Sequence, residues 1–105
     1  MEELKDLRAR IDSIDTRIMD LLQERFATVR EVIVVKDGAG IPVRIPARID
    51  EVIDRAERLA QDRGLPPGLG RALYEHIVEA TCLFEETRLG EDTPENRRFA
   101  VAGRA

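Results

Sequence analysis

Leu4-Lys5-Asp6-Leu7-Arg8-Ala9-Arg10-Ile11-Asp12-Ser13-Ile14-Asp15-Thr16-Arg17-Ile18-Met19-Asp20-Leu21-Leu22-Gln23-Glu24-Arg25 decides the fold. Leu4, Leu7, Ile11, Ile14, Ile18 and Leu21 recur three and four residues apart, the seam of a helix packed lengthwise against other helices. The next seam position is Arg25, and the pattern then resumes with Thr28, Val32 and Val35 and ends at Lys36. A guanidinium on a packing face is costly unless an anion meets it. A polar seam residue can also serve only to set register.

Residues 3–36 contain neither Gly nor Pro and read as one helix. At 1.5 Å per residue it would be roughly 50 Å long, more than the roughly 25–30 Å breadth of a compact domain of this size. Two further short helices cannot cover so much seam, so a second copy of the chain is the expected cover. Asp37-Gly-Ala-Gly-Ile-Pro-Val-Arg-Ile-Pro46 then breaks the helix. A second helix is expected from Ala47 to Arg63, with Ile49, Val52, Ile53, Ala56 and Leu59 on one face and Gly64 as its stop. After the turn Leu65-Pro66-Pro67-Gly68, a third helix runs to Arg88 with Leu69, Leu73, Ile77, Ala80 and Phe84 as its apolar stripe. The expected organisation is an all-α three-helix domain over 1–89 and a flexible tail over 90–105.

The 105 residues suffice for one domain. A net charge of −4 argues against broad nucleic-acid binding, which requires a basic face. No apolar run is long enough for a membrane span, and Met1-Glu2-Glu3 does not begin a secretory signal. With a single cysteine, Cys82, no internal disulfide is possible, and the cytoplasm is the expected compartment. No Cys or His spacing suggests a metal, so no cofactor is expected. His76 reads as a partly exposed helix residue and Cys82 as a small packing residue.

The remaining chemistry is cationic. Arg25 and Lys36 are eleven residues apart, within roughly 20° of the same helix face and about 16 Å apart along it. A small molecule with two acidic groups could fit between their ends. Arg8 lies about 100° from Arg25 around the helix, so it would reach such a site from the partner of an antiparallel dimer. Arg44 and Arg48 flank Pro46 and add positive charge at the start of the second helix, where the helix dipole also favours anions.

Leu7-Arg8-Ala9-Arg10-Ile11-Asp12-Ser13-Ile14-Asp15, Leu21-Leu22-Gln23-Glu24-Arg25, Lys36, Ile41-Pro42-Val43-Arg44 and Arg48 together resemble the all-helical chorismate mutase family, from about residue 4 to residue 88. The resemblance implies three-helix protomers whose long first helices intertwine into a homodimer with two sites. It implies that Arg25 and the partner-donated Arg8 hold the substrate carboxylates, that Lys36 meets the ether oxygen, and that Arg48 assists near a carboxylate. Thr81 and Glu85 fall where the family keeps a small hydroxyl residue and a Gln or Glu. The reaction implied is the pericyclic rearrangement of chorismate to prephenate. It needs neither nucleophile nor general base, only a compact substrate conformer and stabilisation of the charge growing on the ether oxygen.

Three positions depart from the family pattern. Ile49 stands where many members have a Glu directed at the ring hydroxyl, and Ile45 where an acidic residue is common. Glu85 stands where many bacterial members have Gln; facing the ether oxygen it would have to be protonated, giving acid-shifted activity. The stretch Gly40–Arg48 is similar to 4-amino-4-deoxychorismate mutases, and Ile41-Pro42-x-x-x-Pro46-x-Arg48 to isochorismate pyruvate lyase. These activities rank second and third as alternatives. A non-enzymatic helical dimerisation module ranks last; it would leave the cations facing solvent or paired with Asp and Glu.

Overall fold

The computed structural model describes residues 1–89, and within them the chain is all-helical: α1 (Glu2–Ala39), α2 (Pro46–Asp62) and α3 (Leu69–Arg88). The tail expected over 90–105 lies outside the described residues. The chain divides into two compact units, Met1–Val32 and Ile33–Ala105. No helix among the described residues is long and apolar enough to cross a membrane.

The first unit is the N-terminal part of α1. Leu4, Leu7, Ile11, Ile14 and Ile18 of the seam are 37–56 % exposed in the single chain. Arg25 is half-buried, as are Leu22, Phe26 and Val29.

α1 continues three residues past the expected end. A single glycine inside a helix costs about 1 kcal/mol but does not end it, and Gly38 is simply helical. The stop comes at Gly40, in the left-handed region at φ 67°. There the Ile41 N–H donates to the Lys36 carbonyl and the Gly40 N–H to that of Asp37, the paired closure of a Schellman motif. α2 closes the same way: Gly64 has φ 67°, Leu65 donates to the Ala60 carbonyl and Gly64 to that of Gln61. At its start Pro46 occupies the first turn, where its missing N–H is no loss.

In the second unit α2 packs on α3. The helices come close at Gly70, where an added Cβ would lie 2.4 Å from the Ala56 carbonyl oxygen. Val43, Val78 and Cys82 form a buried cluster against which Ile49, Val52, Ile53 and Leu89 pack. The inward face of α3 is rotated by about one residue from the expected stripe: Gly70, Val78, Thr81, Cys82 and Glu85 are buried, whereas Leu69 and Leu73 are 42 % and 50 % exposed. The expected face followed the large apolar residues, but a close helix crossing selects small ones. Similarly, Val32 and Val35 of α1 are exposed while Ile33 is buried. Cys82 packs in the core as expected, and burial raises its thiol pKa; His76 is exposed.

Candidate active site

Within the second unit, Lys36, Thr81 and Glu85 are drawn inward together with the Val43 carbonyl. Lys36 is in the last turn of α1, the end at which a cation is favoured by the helix dipole. Its Nζ donates to the Val43 carbonyl at 3.0 Å and lies 3.1 Å from Glu85 Oε1. The Lys36 side chain is 15 % exposed and that of Glu85 6 %. The contact with Glu85 is ionic rather than a directed hydrogen bond, because Oε1 is buried and has no hydrogen-bond partner among the described residues. The charge of that buried oxygen is compensated by the Lys36 ammonium rather than by a directed hydrogen bond.

Thr81 is one turn before Glu85 on the same face of α3 and is buried. Its hydroxyl donates to the Ile77 carbonyl at 2.7 Å, the backward bond that holds a threonine hydroxyl against its own helix.

Arg44 is tied to α3. Nη1 and Nη2 donate to Glu79 at 2.8 and 2.9 Å, while Nε and Nη2 donate to Glu86 at 3.1 and 3.0 Å. The hydrogen bonds with Glu79, and then those with Glu86, raise the Arg44 pKa above its ordinary value, and Arg44 lowers that of Glu79. Glu79 and Glu86 were absent from the residues singled out in the sequence. Their seven-residue spacing, two turns on one face, is the signal that could have found them beside Arg44.

Arg48 lies in the first turn of α2, exposed and paired with Glu51 one turn on. Ile45 is the N-cap residue and supplies no side-chain cap. Ile49 faces the Val43–Val78–Cys82 cluster. Arg8 and Arg25 belong to the first unit, where Arg8 is exposed and Arg25 half-buried.

The Lys36 ammonium can stabilise negative charge on a substrate oxygen, and Glu85 can share that oxygen when it carries a proton. No group of three or more His, Cys, Asp or Glu side chains among the described residues could hold a metal.

The family model described as chorismate mutase type II matches residues 7–86. The chain is 26 % identical over 98 residues to the chorismate mutase of Methanocaldococcus jannaschii, covering 93 % of this chain and 99 % of that one. It is 33 % identical over 98 residues to the 4-amino-4-deoxychorismate mutase of Streptomyces venezuelae, covering 91 % and 95 %. It is 39 % identical over 92 residues to the bifunctional chorismate mutase/prephenate dehydratase of Aquifex aeolicus, covering 85 % of this chain and 25 % of that protein. No solved structure matches the chain with significance.

Proposed function

The chain belongs to the chorismate mutase type II family, and from that premise we propose that it converts chorismate to prephenate with Lys36 as the residue that meets the breaking C–O bond. The observation that carries this reading is the inward-held Lys36 ammonium beside the buried Glu85 carboxyl. The rearrangement is unimolecular, so the protein has two tasks. It holds the enolpyruvyl arm over the ring in a near-attack conformer, replacing the entropy lost in reaching it. It also stabilises the electron density that accumulates on the ether oxygen, where a preorganised ammonium is worth several kcal/mol, about 3 or more in comparable sites. Arg25 and Arg8 take the two carboxylates, and Arg48 adds charge near one of them. Glu85, when protonated, donates to the same ether oxygen.

In this reading Arg8 comes from a second copy. The exposed row Leu4, Leu7, Ile11, Ile14 and Ile18 supports a homodimer built on α1, since a contiguous apolar face of that length calls for cover. The cytoplasm is the compartment proposed for it, on the single cysteine of the sequence.

A second reading, rearrangement of 4-amino-4-deoxychorismate, is favoured by the 33 % identity to the Streptomyces venezuelae mutase of that substrate. Ile49, packed on the core cluster, supplies no carboxylate for a ring hydroxyl. The test is incubation of the purified protein with chorismate, 4-amino-4-deoxychorismate and isochorismate in parallel, with loss of absorbance followed and products identified. Prephenate from chorismate is expected. Faster turnover of the amino substrate would move the assignment to the second reading, pyruvate from isochorismate would move it to the lyase, and no turnover of any would remove the enzymatic assignment.

A further inference from the structure

The α1–α2 connection, residues 40–45, carries at Arg44 a guanidinium that has four hydrogen bonds to two carboxylates of another helix. A guanidinium has five N–H donors, so little of Arg44 remains for a ligand. The carbonyl of the residue before it, Val43, receives the Lys36 ammonium at 3.0 Å. The Val43 C=O and the Arg44 N–H belong to one planar peptide unit. Holding the Arg44 side chain against α3 restricts how far that peptide can rotate, and with it the direction in which the carbonyl points. The Val43 side chain, buried in the cluster with Val78 and Cys82, anchors the other side of the same peptide.

We propose that Arg44 is a positioning residue: clamped by Glu79 and Glu86, it orients the Val43 carbonyl so that the Lys36 ammonium is held at the reacting position. The sequence offers Arg44 as positive charge for an anionic substrate; in the structure that charge is taken up by Glu79 and Glu86 and acts through Lys36. A single exposed ion pair would be a weak device, but a bidentate network with both carboxylates on one helix face defines a geometry as well as an attraction. The role rests on the reading of Lys36 as the residue that meets the ether oxygen.

Lys5 and Lys36 are the chain's two lysines, and Lys5 is exposed, so the mobility of Lys36 can be read against an internal standard. The full-length protein is labelled briefly with an acetylating reagent, and the Lys36-to-Lys5 ratio is measured by mass spectrometry for wild type, Arg44→Ala and Glu79→Gln/Glu86→Gln. The ratio should rise about fivefold in both variants. On chorismate, kcat should fall about tenfold with KM within about twofold of wild type, as expected for a misplaced group rather than a lost ligand. An unchanged labelling ratio overturns the proposal, as does a rise in KM with kcat intact, which would make Arg44 a direct ligand. If wild type does not turn over chorismate but the ratio still rises, the clamp stands and the functional reading falls. Should the double variant lose its helical circular dichroism, Arg44→Lys, whose single ammonium can keep one carboxylate, is read against the same two criteria.

Discussion

Glu85 Oε1 lies 3.1 Å from the Lys36 ammonium, which also donates to the Val43 carbonyl at 3.0 Å, so one buried cation holds both groups. A substrate oxygen brought to that ammonium would lie beside the Glu85 carboxyl. In the proposed reaction that oxygen gains negative charge, which an ionised carboxyl opposes and a protonated one stabilises. Glu85→Gln, whose amide donates a hydrogen bond and carries no charge, should therefore raise turnover of chorismate. Turnover equal to wild type would remove Glu85 from the site.

Lys36 should matter for stability as well as rate. Lys36→Met would leave the buried Glu85 carboxyl without its counter-charge, an arrangement that costs roughly 2–4 kcal/mol where burial is nearly complete. Urea unfolding should show a loss of that order, and Lys36→Met/Glu85→Gln should recover much of it because the stranded charge is gone. Activity should fall by about two to three orders of magnitude in both variants. Recovery of activity in the double variant would contradict the assignment of Lys36 to the ether oxygen.

The helices were legible in the sequence because apolar spacing and glycine stops are local signals. Ile49, Val52, Ile53, Ala56 and Leu59 of α2 are all at least half-buried. The inward face of α3 was misread because Leu69 and Leu73 weigh heavily in any apolar pattern, whereas Gly70 reveals its role only against Ala56 of α2. The end of α1 was placed too early because nothing local distinguishes the helical Gly38 from the left-handed Gly40. Lys36, Thr81 and Glu85 were singled out, but Arg44 was legible only as a charge. Its partners Glu79 and Glu86 are 35 and 42 residues away, and pairing at that separation is set by the tertiary fold.

Gly70 tests the α2–α3 contact directly. Its absent side chain lets the Ala56 carbonyl come within 2.4 Å of where a Cβ would be, with further backbone atoms of Ala56 and Glu57 at 2.7 and 2.8 Å. Those neighbours are backbone and cannot rotate aside, so Gly70→Ala must separate the helices. Overpacking costs about 1–3 kcal/mol, and with three backbone atoms inside 3.0 Å this position falls at the upper end, above alanine's gain in helix propensity of about 1 kcal/mol. Thermal unfolding should therefore show a lower midpoint for Gly70→Ala; an equal or higher one would mean that α2 and α3 are not in this register.

Glu57 gives the fold a pH dependence of known sign. Its carboxylate accepts the backbone N–H groups of Arg71 and Gly68, each at 2.9 Å, at the start of α3. These bonds, that of Arg71 foremost, hold its pKa below the ordinary carboxylate range. They satisfy donors that the Gly68 N-cap, lacking a side chain, leaves open. A group whose folded-state pKa is depressed stabilises the fold fully above its unfolded value and loses that contribution as the pH falls through the folded one. Glu57→Gln keeps an acceptor oxygen but removes the charge. Its melting temperature should lie below that of wild type at neutral pH, and the two curves should converge as acid protonates Glu57 in the native protein. Because the group is solvent-accessible the separation will be modest and will shrink with added salt. A gap that persisted unchanged into strong acid would show that the substitution acts through something other than the lost charge.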